Sequence, residues 1–187
     1  MRLFVAVDVE NDVRDRIYEV SKVLGSIKGI KAVERENIHI TLKFLGEVDN
    51  AKAERVKMQL EKVEARPFKA HFQNIGFFPP KGKIRVIWVG VDEGKEELTN
   101  LALKVEHSLK KLGFKKDKDF VAHATVARVK KPIDKEKLMQ ILESFEKDFG
   151  WMDVDKFKLK QSILTPKGPI YKDIQVFNLG YYDQQNR

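Results

Sequence analysis

The chain has 187 residues, of which 42% are apolar, enough for one large domain or two small lobes with a real core. It has no cysteine, which excludes disulfides, thiol catalysis and cysteine-based zinc sites. A formal charge of +8 points to a polyanionic partner, nucleic acid first, although with 34% charged residues many lysines simply pair with glutamates on the surface.

The chain opens directly as a strand, with Leu3, Val5, Val7 and Val9 alternating with Arg2, Phe4, Ala6 and Asp8. No signal peptide precedes it and no run of ~18 apolar residues follows, so a soluble cytoplasmic protein that does not enter a membrane is expected. Glu10-Asn11-Asp12 offers caps for a helix with Val13, Ile17, Val20 and Leu24 on its buried stripe, and Gly25 stops it. An extended piece around Ile30 to Val33 leads into a strand ending at Leu45-Gly46. Asp49-Asn50 caps a second helix with Ala53, Val56, Leu60 and Val63 inward. Strands follow through Phe68, Ala70 and Phe72, then through Ile84, Val86 and Trp88, with the turn Pro79-Pro80-Lys81-Gly82 between them.

A long helix through Leu98, Leu101, Val105, Leu109 and Leu112 opens the second half and closes at Gly113. A lysine-rich loop, Lys115 to Lys118, leads to another strand. Asp134 opens a helix expected to bury Leu138, Ile141, Leu142, Phe145 and Phe149. A strand through Phe157, Leu159, Gln161 and Ile163, the turn Thr165-Pro166-Lys167-Gly168-Pro169 and a strand through Ile174 and Val176 complete the pattern. The polar tail from Gln184 to Arg187 is expected to fray.

Within this order one motif occurs twice: His39-Ile40-Thr41-Leu42 and His123-Ala124-Thr125-Val126, 84 residues apart. Period-two alternation places each His and Thr on one strand face, with the apolar residues entering the core. Each motif strand is followed by a helix, a strand, a Pro-Lys-Gly turn and a strand. So long a period is an internal duplication rather than a solenoid. The expected fold is α+β, with two similar lobes related by a pseudo-two-fold axis and antiparallel sheets carrying outer helices. The active site is expected in the central cleft of a single bilobal domain, 1–187. Its approximate halves are 1–92 and 93–187, and the lobes are free to exchange terminal strands.

Histidine takes and gives protons near neutral pH, and two of them flanking a phosphodiester can act as general base and general acid. The threonine hydroxyls are uncharged donors suited to non-bridging phosphate oxygens. No metal or cofactor is called for. The bland reading, solvent-facing strand histidines, fits a single His-x-Thr better than two copies at equivalent places. His71 and His107 have no such setting and read as surface groups.

Simple alternation puts Arg128 opposite His123, where it is a surface arginine, unless a strand end or bulge turns it into the site. Lys43 shares parity with His39 and Thr41 and either lines the cleft edge or is solvated; Lys81 and Lys167 in the turns are equally open. Phe44, Phe77, Phe78 and Trp88 can stack on bases, but strand aromatics more often fill cores, and none is singled out.

The paired motifs, with Arg2-Leu3-Phe4-Val5-Ala6-Val7, Asn37 through Gly46, Arg85-Val86-Ile87-Trp88-Val89-Gly90 and His123 through Arg128, resemble the two-histidine phosphoesterase superfamily. Within it the match is to the archaeal and bacterial RNA 2′,3′-cyclic phosphodiesterases, also called 2′-5′ RNA ligases, over nearly the whole chain. The resemblance implies metal-free hydrolysis of a terminal 2′,3′-cyclic phosphate on RNA to a 2′-phosphate, with reverse ligation open to the same site. It implies His39 as proton donor, His123 as proton acceptor, and Thr41, Thr125 and Arg128 as phosphate ligands. It also implies a monomer acting on RNA ends, tRNA among them. The competing readings are a phosphodiesterase for a small cyclic nucleotide or ADP-ribose cyclic phosphate, and an RNA-binding protein without turnover.

Overall fold

Alternating and helical apolar patterns settle into nine strands and four α-helices over residues 1–180, the part described by the computed structural model. In chain order these are β1 (Arg2–Asp8), α1 (Asn11–Leu24), β2 (Ile30–Ala32), β3 (His39–Glu47), α2 (Asn50–Leu60), β4 (Phe68–Phe78), β5 (Val86–Val91), α3 (Lys95–Leu109), β6 (His123–Val129), α4 (Lys135–Glu143), β7 (Asp148–Val154), β8 (Lys156–Thr165) and β9 (Gly168–Asn178). The polar tail at 184–187 lies outside the described residues.

The strands form two antiparallel sheets, ordered β3-β1-β8-β9 and β2-β6-β5-β4-β7. The succession β6-β5-β4-β7 in the second repeats β3-β1-β8-β9 in the first, so each motif strand heads the same four-strand succession, with β2 added outside β6. This is the α+β duplication that the repeated motif predicts. Each sheet mixes early and late strands: β1 and β3 join β8 and β9, while β4 and β5 join β6 and β7. The crossover helices exchange as well. Helix α1 follows β1 but packs against β2, β6 and β7, and α3 follows β5 but packs against β3 with α2 beside it. Strands β3 and β6 meet where the sheets adjoin. A single buried cluster, from Leu3 to Leu179, runs through both sheets.

Local chemistry sets the helix ends. Asp49 and Asp134 accept hydrogen bonds from the amides of Lys52 and Lys137, at 2.7 and 3.2 Å, and so cap α2 and α4. The predicted side-chain cap on α1 does not form; Glu10 occupies that position without one. The stripes Val13-Ile17-Val20-Leu24 and Leu98-Leu101-Val105-Leu109 are buried as the spacing requires. The helix expected to reach Phe149 is corrected: α4 stops at Glu143, and 148–154 is strand β7 at the edge beside β4. Phe149 is buried from that strand, and Gly150 takes φ +99, a backbone conformation no helix accommodates.

His71, expected at the surface, is buried in β4 and corrects that reading. Its Nδ1–H donates to Asp92 at 2.7 Å and its Nε2–H to Asp148 at 2.8 Å, and the ring stacks on Trp151 at 4.7 Å. Two carboxylate acceptors on one imidazole call for the doubly protonated ring. Burial alone would lower its pKa, but the bonds to Asp148 and Asp92 outweigh burial and raise it above the usual 6.5. This cation therefore stabilises the fold fully below the unfolded value near 6.5, and the stabilisation is lost as pH rises through the higher folded value. Denaturation midpoints of wild type and His71→Gln are expected to differ more at pH 6 than at pH 9. Equal gaps at both pH values would show that the ring is not held as a cation.

Candidate active site

Both motif strands follow the same local plan. In β3, His39 and Thr41 are partly exposed while Ile40 and Leu42 are buried; in β6, His123 and Thr125 are partly exposed while Ala124 and Val126 are buried. One residue then interrupts the alternation in each. Opposite β3, Ala6 pairs with Thr41 and Val5 with Lys43, so Leu42 is the extra residue of a bulge. Opposite β6, Trp88 pairs with Thr125 and Ile87 with Ala127, so Val126 is extra. A bulge reverses the parity of the residues beyond it. Arg128 thereby joins the face of His123 and Thr125, and Phe44, 64% exposed, joins that of His39 and Thr41.

Lys43 moves the other way, and its reading as a cleft-edge or solvated lysine is corrected. It is 1% exposed and points to the helical side, where its ammonium donates to Glu106 at 2.7 Å and to the Lys115 carbonyl at 2.9 Å, with Asp117 at 3.5 Å. Glu106 lies on α3, and Lys115 and Asp117 lie in the loop that feeds His123 into β6. Lys43 therefore ties the first motif strand to the approach of the second. Lys81 and Lys167 are exposed in their turns.

The two imidazoles are held alike. His39 Nδ1–H donates to the carbonyl of Asn37 at 2.6 Å, and His123 Nδ1–H donates to that of Val121 at 2.6 Å. In the neutral ring this leaves Nε2 as the acceptor in both cases. On His39, Nε2 takes the Thr41 hydroxyl proton at 2.8 Å. The Asn37 side chain also donates to the Pro169 carbonyl at 3.0 Å, fastening the β8–β9 hairpin next to the His39 anchor.

Aromatic rings wall both sides. Phe4 and Tyr171 stand 5.2 and 5.3 Å from the His39 ring, and Phe78 and Trp88 stand 5.0 and 5.8 Å from the His123 ring. Sequence reasoning misses Phe4 and Tyr171, although Phe4 shares strand parity with Asp8, the cross-strand partner of His39. The Trp88 indole closes against Gly76, where an added Cβ would collide with the ring. Phe77 turns to the core side and packs there.

Beside His39, Asp8 bridges Lys160 at 2.6 Å and Lys158 at 2.7 Å, and Asp173 closes the set with bonds to the same two lysines. Burial pushes the His39 pKa down to about 4; the Lys160 charge adds to this, and the Asn37 bond and Asp8 oppose it. His123 is also lowered, by burial first and by Arg128, against the Val121 bond. Each histidine is thus neutral at pH 7 in the free protein, with a basic Nε2.

A duplicated α+β scaffold with one His-x-Thr strand per sheet, the two strands meeting where the sheets adjoin, is the architecture of the two-histidine phosphoesterases. The LigT-like phosphoesterase model matches twice, over 7–88 and again over 89–171, and the chain belongs to that family. A curated RNA 2′,3′-cyclic phosphodiesterase from Archaeoglobus fulgidus is 52% identical over 178 residues, covering 95% of this chain and 99% of that protein. Its namesake from Methanocaldococcus jannaschii is 40% identical, covering 94% and 99%. Among solved structures, TT0787 of Thermus thermophilus aligns with a TM-score of 0.83 at 29% identity, over 96% of this chain and 98% of that one.

Proposed function

We propose that this protein hydrolyses the terminal 2′,3′-cyclic phosphate of RNA to a 2′-phosphate by proton transfer between its two motif histidines. The observation that carries the reading is the matched pair of imidazoles, each anchored through Nδ1–H with Nε2 left as the acceptor, on strands that adjoin and near enough for the charge of one to act on the other. The names of the curated relatives support the substrate class, and the charge of +8 agrees with an RNA end.

In this scheme His123 Nε2 takes a proton from water as the water oxygen attacks phosphorus. The bond from phosphorus to the ribose 3′ oxygen breaks, and protonated His39 gives that oxygen its proton. Solvent then returns one proton to His39 and removes one from His123. The neutral His39 of the free protein gains its proton with the substrate, because an adjacent phosphate anion favours the charged ring. Protonation also releases Thr41: Nε2 no longer accepts from the hydroxyl, its N–H faces the 3′ oxygen, and the hydroxyl proton is freed for a non-bridging oxygen. Thr125 plays the same part from β6, and Arg128 supplies a forked charge. With a 5′-hydroxyl in place of water as nucleophile, the same path joins two RNA ends through a 2′-5′ linkage.

The test is an RNA oligonucleotide ending in 2′,3′-cyclic phosphate, incubated in excess EDTA, with the product end identified. A 2′-phosphate is expected; no conversion by wild type would sink the reading. The pH profile gives a second check. Productive free protein needs His39 protonated and His123 neutral. His39 loses its proton as pH rises through about 4, and His123 titrates below 6.5. The kcat/KM maximum is therefore expected below pH 6.5, with a fall of about tenfold per unit above it. A flat kcat/KM from pH 6 to 8 would contradict these roles.

A further inference from the structure

Strands β5, β6 and β2 bring Val86, Arg128 and Lys31 into one cross-strand row. Directly paired residues share a sheet face, so Lys31 stands beside Arg128 on the side that holds His123. Its reach is consistent with this: the Lys31 ammonium lies 3.4 Å from where a Cβ on Gly168 would sit, at the tip of the β8–β9 hairpin of the opposite sheet. Lys31 therefore reaches from the Arg128 row on one sheet to the hairpin of the other that carries Tyr171. Ile30 on one side of it is buried, and Lys31 itself is exposed. Among the described residues neither Lys31 nor Arg128 is in an ion pair, whereas Lys158 and Lys160, beside His39 on the other sheet, are each bound by two carboxylates.

A neutralised lysine pair offers little to an anion, and two uncompensated cations side by side offer a good deal. Residues paired across strands start about 5 Å apart at Cβ, and both side chains are long, so the two can hold successive phosphates of one strand. We infer that Lys31 binds the phosphate on the 5′ side of the reacting nucleotide, and so makes the protein prefer an oligonucleotide end to a cyclic mononucleotide. The inference rests on the proposed reaction and adds the length of substrate that the cleft reads. Lys31 takes no part in proton transfer; it contributes through a phosphate that a mononucleotide lacks.

The experiment compares kcat/KM on a short RNA ending in 2′,3′-cyclic phosphate with that on a nucleoside 2′,3′-cyclic phosphate, for wild type, Lys31→Gln, Lys31→Arg and Lys62→Gln. Lys62 is an exposed cation just past the end of α2 and controls for net charge. The oligonucleotide-to-mononucleotide ratio is expected to fall about tenfold in Lys31→Gln, the loss of one charged contact to phosphate. It should return toward wild type in Lys31→Arg and stay at wild type in Lys62→Gln. The salt dependence of log kcat/KM on the oligonucleotide is expected to flatten by about 0.7 in Lys31→Gln. A wild type that turns over neither substrate would overturn the proposed reaction and this inference with it. Turnover of both substrates with the same ratio in wild type and Lys31→Gln would overturn the inference alone.

Discussion

His39→Ala and His123→Ala are each expected to lower kcat/KM by about 10³-fold, the usual scale for a lost proton-transfer group. The reason is geometric before it is electrostatic. Each ring is pinned at Nδ1 by a carbonyl two residues earlier in the chain, just ahead of its strand, so the Nε2 position is set by backbone. No other imidazole can substitute, since His71 is consumed by Asp92 and Asp148 and His107 lies exposed on α3. The double variant is expected to lose little more than either single, because the two groups act in one step. The roles separate with a substrate whose departing 3′ oxygen is replaced by sulfur, a leaving group that needs no proton. It should restore much of the His39→Ala rate and none of the His123→Ala rate. Rescue of His123→Ala instead would exchange the acid and base roles.

Lys43→Met is expected to cost about 2 kcal/mol of stability, or roughly 4–8 °C in Tm, although it keeps the buried stem. The lost ammonium leaves Glu106 and the Lys115 carbonyl without their donor. The penalty stays below that of a fully buried ion pair because Glu106 and Asp117 are 23% and 46% exposed and can turn to water. Activity should fall more than stability predicts. The tie runs from β3 to the loop that delivers His123, and a misplacement of about 1 Å between reacting groups can cost about 10²-fold. The loss is expected in kcat, with KM little changed, and Lys43→Arg should recover part of it. A Lys43→Met protein with normal kcat at a temperature where it is fully folded would show that the tie serves folding alone.

Much of this molecule is written in period and repetition. The paired His-x-Thr strands, the duplication and the stripes of α1 and α3 follow from spacing that any strand or helix must obey. What spacing cannot convey is a bulge, which inserts one residue without altering composition. The adjacent apolar pair Val126-Ala127 is the one local hint that alternation breaks in β6, and the break carries Arg128 to the histidine side. In β3 the same break has no hint at all, since Lys43 reads as surface until Glu106, 63 residues away, is seen to hold it. The carboxylates that claim His71 stand 21 and 77 residues from it, beyond any local pattern. The edge strand β7 is masked by a helical spacing, Phe145 to Phe149, that happens to continue past the true end of α4.

The exchange of strands and helices between the sheets has a mechanical meaning. Two-lobed proteins often close on a ligand by bending at a few residues of a single connection. Here β1 leads to a helix seated on the other sheet, β2 hands over to β3, α2 to β4, β5 to α3 and β7 to β8, each a passage from one side to the other. Parting the lobes would strain all of these at once. The gap between the two imidazoles is thus a fixed caliper rather than a jaw. Such an instrument selects a substrate that arrives already bent to its transition geometry, and a phosphate strained into a five-membered ring meets that demand without any movement of the protein.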